Sequence, residues 1–213
     1  MPEHEVDLFF SFRSPWSYFG AWQMFDLQQD YALQVNLKVV NPIYIRYNDF
    51  FDRAHEKWQP YFLTDLLRYS EYREIPIGMP VPDPINTELP ADDTGHLVLK
   101  LNPLGIAAEA AGRGIEFARE VSGIVWSGRV EGWDQGDHLA LAAERAGLEL
   151  STLEQWVSDN ASAWPQQLLA NDAALEAHHW GVPTMVFEGE PFFGQDKIEL
   201  LLWRMRKKGL QKR

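Results

Sequence analysis

Val6-Asp7-Leu8-Phe9-Phe10-Ser11-Phe12 runs straight into Arg13-Ser14-Pro15-Trp16-Ser17-Tyr18, and the rest of the chain is read outward from this stretch. The first seven residues carry the aromatic and branched side chains of a buried strand. Ser14 before Pro15 is a helix-start signal: a capping hydroxyl, then a residue whose missing N–H costs nothing in a first turn. A helix is expected from Tyr18 to about Gln28. Leu33 to Val40 then alternates apolar and polar, which predicts a second strand with one covered face. Strand, helix and strand in so short a span form a βαβ unit, which makes the two strands parallel.

The middle of the chain changes character. Asp49 to Arg73 reads as an amphipathic helix with Phe62, Leu66, Leu67 and Tyr69 among its apolar positions. Pro76, Pro80, Pro82, Pro84 and Pro90 then exclude regular helix. Further helices are expected over Pro103 to Gly112, Ile115 to Trp126, His138 to Ala146 and Asn171 to Trp180. Another opens at Ser151, where Ser151 and Glu154 match a capping box. The end returns to strands: Pro183 to Phe187 and Pro191 to Phe193 flank Glu188-Gly189-Glu190 as a tight hairpin. Gln195 to Lys208 forms the last helix, after which the basic C-terminus is expected to fray. The order is βαβ, a long helical block, then ββα.

Composition bounds the function. The chain has 213 residues and a formal net charge of -12, a balance that argues against nucleic acid and anionic membrane as partners. No apolar run approaches a membrane span, and the acidic start Met1-Pro2-Glu3-His4-Glu5 is unlike a signal peptide, so a cytoplasmic protein is expected. The cysteine count is zero, which excludes disulfides, thiolate metal sites and a cysteine nucleophile.

Three short motifs have both a plain and a chemical reading. Ser14 either simply caps a helix or places a hydroxyl at the positive end of its dipole, where an anion gains about 0.3–1 kcal/mol. Gly181-Val182-Pro183-Thr184 is either a turn into a strand or a cis-proline leaving the backbone of Val182 free to pair with a peptide-like ligand. Gly194-Gln195-Asp196-Lys197 opens the last helix, and Asp196 either complements the dipole or accepts from a ligand ammonium. Histidines His178 and His179 lie too close in sequence to share a metal, and Asp134, Asp137 and His138 read as a loop and cap; no metal is expected. Trp126, Trp133, Trp156 and Trp164 read as core of the helical block.

Taken in order, these motifs resemble the DsbA-like branch of the thioredoxin superfamily, in particular 2-hydroxychromene-2-carboxylate isomerases and kappa-class glutathione transferases. The likeness rests on Phe9 to Tyr18, on Asp65-Leu66-Leu67-Arg68-Tyr69 with Glu74-Ile75-Pro76-Ile77, on Gly181 to Thr184, and on Gly194-Gln195-Asp196. Ser14-Pro15-Trp16-Ser17 stands where redox relatives carry Cys-x-x-Cys. The resemblance implies an α/β thioredoxin-like fold from residues 1–45 and 181–213, interrupted by an inserted helical domain over 46–180.

It also implies glutathione as cofactor, a small electrophilic aromatic substrate and a homodimer. Ser14 would bond the glutathione sulfur, Val182 before Pro183 would pair with its cysteinyl backbone, and Gln195 and Asp196 would hold its γ-glutamyl end. Trp16, Ser17, Asn48 and Lys57 would face the substrate. Several positions depart from the family pattern. Trp16 is bulkier than the usual aromatic, the loop Ile43 to Asn48 lacks a glycine, and Trp58 replaces the lysine three residues before Tyr61. A glutathione-dependent isomerase is the reading these residues favour. Glutathione transfer and a non-catalytic binding or chaperone-like role are the alternatives, and dithiol chemistry is excluded by the missing sulfur.

Overall fold

The computed structural model describes residues 4–213, so Met1, Pro2 and Glu3 of the acidic start lie outside the described residues. Strand β1 (His4–Phe10) leads into α1 (Pro15–Asp30) and then β2 (Leu33–Val39), which pairs parallel to β1 with Phe10 opposite Val39. After the helical block, β3 (Thr184–Phe187) pairs antiparallel with β1, and β4 (Glu190–Phe193) pairs antiparallel with β3. The sheet order is β2-β1-β3-β4, the thioredoxin-like frame expected from the βαβ…ββα reading.

Between the halves lie α2 (Ile43–Arg46), α3 (Trp58–Arg73), α4 (Val98–Ala110), α5 (Gly114–Trp126), α6 (His138–Arg145), α7 (Leu150–Asp159) and α8 (Trp164–Glu176); α9 (Ile198–Lys207) closes the chain behind a 3-10 turn over Gln195–Lys197. Leu33, Val35, Leu37 and Val39 of β2 are buried while Gln34, Asn36 and Lys38 are half-buried, as the alternation requires. Val6, Leu8 and Phe10 join that main core, whereas Phe9 faces the other way with Val40, Leu175 and Val186. Trp126 and Trp133 are fully buried, each indole N–H donating to a backbone carbonyl, of Phe12 and Pro82 respectively.

Five expectations are corrected. The helix read from Asp49 begins only at Trp58, because residues 49–57 fold as turns; within it, Leu67 is exposed rather than on the apolar face. Pro103 does not start its helix but sits inside α4, where burial of Val98 and Leu101 a turn earlier outweighs its roughly 3 kcal/mol penalty. Ser151 is not an N-cap: α7 starts at Leu150 behind Glu149, with no side-chain cap. The helix expected to reach Trp180 is α8, which ends at Glu176, so His178 and His179 are not helical. The C-terminus is tied down rather than frayed. Gln211 C=O accepts from Ala32 N–H, and Arg213 donates from its backbone to Asp30 C=O and from Nε to Tyr31 C=O.

Candidate functional site

The strand-to-helix turn after β1 is held by its own serines. Ser14 is the N-cap of α1, with extended backbone, and its Oγ accepts the Ser17 N–H at 3.1 Å. Its carbonyl accepts the Tyr18 N–H, and its own N–H donates to Ser11 C=O. Pro15 has no N–H, so Trp16 carries the one first-turn N–H that no described residue accepts. With its acceptor side used by Ser17, the Ser14 hydroxyl keeps its proton to donate outward.

Ser14, Pro15 and Trp16 face a cavity of about 570 Å³, a volume typical of small-molecule sites. Gly181, Val182 and Phe193 face it from the sheet side. The Val182-Pro183 bond is cis, and neither the N–H nor the C=O of Val182 has a partner among the described residues. Pro183 packs on α1 at Gly20, where an added Cβ would lie 3.1 Å from its Cγ; that close approach fixes the loop against the helix bearing Ser14. Thus the structure brings Ser14, Trp16 and Val182 to one cavity.

Other expected residues are elsewhere. Ser17 is fully buried, its Oγ 3.4 Å from Ser11 N–H, so it closes the turn and does not line the cavity. Asn48 and Lys57 are exposed and outside the cavity wall, because the turns before α3 present His55 and Glu56, and the start of α3 presents Trp58, instead. Gln195 is buried, with its C=O 3.5 Å from the Tyr69 hydroxyl, and Asp196 is exposed and ion-paired to Lys197. Both sit beside α1 but not in the cavity wall.

Several wall residues were not assigned to a site from sequence. Arg46 donates from Nε to Asn41 C=O and from Nη2 to Trp180 C=O, each at 2.9 Å. Arg13 grips Asp83 with two bonds, at 3.1 and 2.8 Å, tying the Ser14 turn to the proline-rich crossing. Phe50, Trp58, Phe62 and Trp180 make the wall aromatic, with Trp58 stacked on Phe62 at 5.2 Å between centroids. The run of aromatics between Phe50 and Phe62 was the available signal.

Burial shifts titratable groups around the cavity, and in its wall it lowers Arg46 against the opposing pull of Asp172, Tyr47 and Glu176. Burial raises the Tyr18 phenol, which donates to Pro76 C=O at 2.8 Å. Burial lowers His179, whose Nδ1 accepts from Gly181 N–H and whose ring stacks on Phe193 at 3.9 Å. Among the described residues no three His, Asp or Glu side chains are placed to hold a metal ion. Nor, among them, is any helix long and apolar enough to cross a membrane.

A family model for the DSBA-like thioredoxin domain matches residues 5–206. The chain belongs to the DSBA-like thioredoxin domain family. A 2-hydroxychromene-2-carboxylate isomerase from Pseudomonas putida is 27% identical over 202 residues, covering 92% of this chain and 91% of that one. A protein of the same name from Pseudomonas sp. (strain C18) is also 27% identical, covering 92% and 87%. Among solved structures, a selenomethionine 2-hydroxychromene-2-carboxylate isomerase superposes with TM-score 0.67 at 23% identity, covering 95% of each chain. The cytosolic disulfide reductase DsbM from Pseudomonas aeruginosa, solved with GSH, gives 0.58 at 14%, covering 95% and 99%. These structural likenesses show the shared fold.

Proposed function

We propose that this protein is a glutathione-dependent isomerase of the 2-hydroxychromene-2-carboxylate isomerase type. The observation that carries the reading is the free donor proton of Ser14 at the start of α1, facing one cavity with the unpaired backbone of Val182. The curated relatives with the same name and matching length support it.

The residues present fit glutathione. Val182 offers one N–H and one C=O without partners among the described residues, the pairing a peptide-like tripeptide seeks. Asp196 accepts from an ammonium group, and its exposed ion pair with Lys197 is worth only about 0–1 kcal/mol, so a ligand ammonium competes easily. Glutathione, when bound, would supply a thiolate for reversible addition to an electron-poor double bond, the C–S bond breaking again after rotation about the single bond so formed. The chain's share is to hold that sulfur charged. A free cysteinyl thiol titrates near pH 8.5 and is mostly protonated at neutrality. Ser14 donates a charge-assisted hydrogen bond, worth about 1.5–3 kcal/mol, and the start of α1 with the Trp16 N–H adds about 0.3–1 kcal/mol. At about 1.4 kcal/mol per unit, these lower the thiol by about one to three units and raise the thiolate share at neutrality from a few per cent to roughly 40% or more. Trp16, Phe62 and Trp58 keep water from the electrophile and give a planar substrate surfaces to stack on. The absence of cysteine leaves the chain no dithiol of its own.

Calorimetric titration with glutathione tests the first half of the reading: wild type binds and Ser14→Ala binds the thiolate form more weakly. No binding to wild type sinks the reading. An ultraviolet assay with an unsaturated aromatic oxo acid then separates isomer from glutathione conjugate, and accumulation of conjugate would assign a transferase instead.

A further inference from the structure

The backbone on both flanks of Val182 is pinned while Val182 itself is left open. His179 N–H donates to Leu175 C=O at 2.7 Å, tying this segment to the end of α8. Arg46 Nη2 donates to Trp180 C=O at 2.9 Å, and the Thr184 hydroxyl to Gly181 C=O at 2.7 Å. Beyond Val182, Pro183 C=O accepts from Gly194 N–H at 2.9 Å. The last anchor is the Gly181 N–H, which donates to Nδ1 of the His179 ring at 2.9 Å. Every other acceptor in this set is a carbonyl, which accepts at any pH. An imidazole nitrogen accepts only while the ring is neutral.

The ring is held where it must answer to its charge. It stacks on Phe193 of β4 at 3.9 Å and on Trp180 at 5.2 Å between centroids. Phe193 in turn fills the space in front of Gly181, where an added Cβ would lie 2.6 Å from its Cε2. A proton on Nδ1 would set two N–H donors against each other across this packed stack, so the Gly181 N–H loses its acceptor. The peptide that then moves is the one that leads into Val182. Charge near the ring comes from Glu176 at the end of α8, which is bonded to the Tyr47 hydroxyl and stands 3.8 Å from Arg46 Nη1. Burial lowers the ring below its ordinary 6.5 against the pull of Glu176, and Phe193 brings no charge. At neutral pH the acceptor is therefore in place.

We propose that His179 is a positioning residue that holds the open backbone of Val182 toward glutathione, and that its protonation weakens glutathione binding. This rests on the reading above, that Val182 pairs with glutathione. Gly181, Val182 and Phe193 line the cavity and His179 does not, so it acts through Gly181 and touches no ligand.

The experiment is calorimetric titration of glutathione from about pH 7.5 to 5.5 on wild type, His179→Asn and His179→Ala. Asparagine accepts from the N–H two residues on, as in an Asx turn, and it does not titrate. Wild type is expected to lose about 3- to 10-fold in affinity beyond any loss in His179→Asn; the upper figure is that of a ring titrating at 6.5. His179→Asn matches wild type at pH 7.5, whereas His179→Ala is weaker across the whole range. S-methylglutathione, whose sulfur carries no proton, follows the same wild-type loss and so separates the ring from the thiol. A flat wild-type profile with S-methylglutathione overturns the proposal and needs no variant to fold. Parallel profiles for wild type and His179→Asn, or wild-type affinity in His179→Ala, also overturn it and leave the glutathione reading standing. A wild type that binds no glutathione at pH 7.5 sinks the isomerase reading, and this proposal with it.

Discussion

The hydroxyl of Ser14 accepts from Ser17 N–H and keeps its own proton, so substitutions at this residue separate capping from the catalytic role proposed above. Ser14→Ala removes both and is expected to cost about 1 kcal/mol of stability. Ser14→Asp restores the cap, because aspartate caps as well as serine, but it donates nothing and would set a charge beside the proposed glutathione sulfur. We therefore expect Ser14→Asp to melt like wild type in urea while its turnover falls at least as far as that of Ser14→Ala. Wild-type turnover in Ser14→Asp would mean that Ser14 is only a cap. The neighbouring serine has another part to play: Ser17 is buried and serves the turn, a distinction that the repeated hydroxyl in Ser14-Pro15-Trp16-Ser17 conceals.

Helix α4 approaches β2 through Gly105, where an added Cβ would lie 2.8 Å from Val39 Cγ2 and 2.9 Å from Phe12 Cε2. Gly105→Ala is expected to destabilise by about 1–3 kcal/mol, the cost of overpacking a filled core, read as a lower urea midpoint. The β3–β4 hairpin offers a contrast. Its two turn residues, Glu188 and Gly189, have φ of 51° and 80°, the primed turn that matches strand twist. Nothing lies within 4 Å of a Cβ at Gly189, so Gly189→Ala pays only for the left-handed backbone, about 1–2 kcal/mol. That hairpin was legible as Glu188-Gly189 between apolar runs, since turn chemistry is local. The start of α3 was not legible, because the aromatic run from Phe50 to Trp58 is apolar enough to suit a helix and instead packs ring against ring in the cavity wall.

Across the molecule, one half-buried carboxyl is expected to make stability depend on pH. Glu109 on α4 lies over the start of α5, its Oε2 2.0 Å from where a Cβ of Gly114 would be. Burial raises its pKa from the ordinary 4.5 to about 7, helped by Asp7 and Glu116 and opposed by the Leu37 backbone and Lys38. The folded state therefore keeps a proton that the unfolded chain releases. This contribution is complete below pH 4.5 and is lost as pH rises to about 7, at most about 3 kcal/mol in all. Urea unfolding across that window should show stability falling with pH for wild type, and Glu109→Gln should flatten the fall. An unchanged slope in the variant would assign the dependence to other groups.

The sequence by itself determined what depends on neighbours along the chain: the βαβ opening, the proline-rich crossing, the hairpin, the helix that Ser14 and Pro15 begin, and the absence of any sulfur to do redox work. Those follow from periodicity, capping and turn propensities, which act over a few residues. Only the tertiary structure decided which side chains share a cavity. It set Ser14 and Val182 together across 168 positions of chain (182 − 14) and turned Ser17, Asn48 and Lys57 away. It also swung Arg46 onto the carbonyls of Asn41 and Trp180. The reason is that burial and the pairing of buried polar groups are settled by what packs from distant elements. A guanidinium whose partners lie 5 and 134 residues away leaves no mark in the sequence around it.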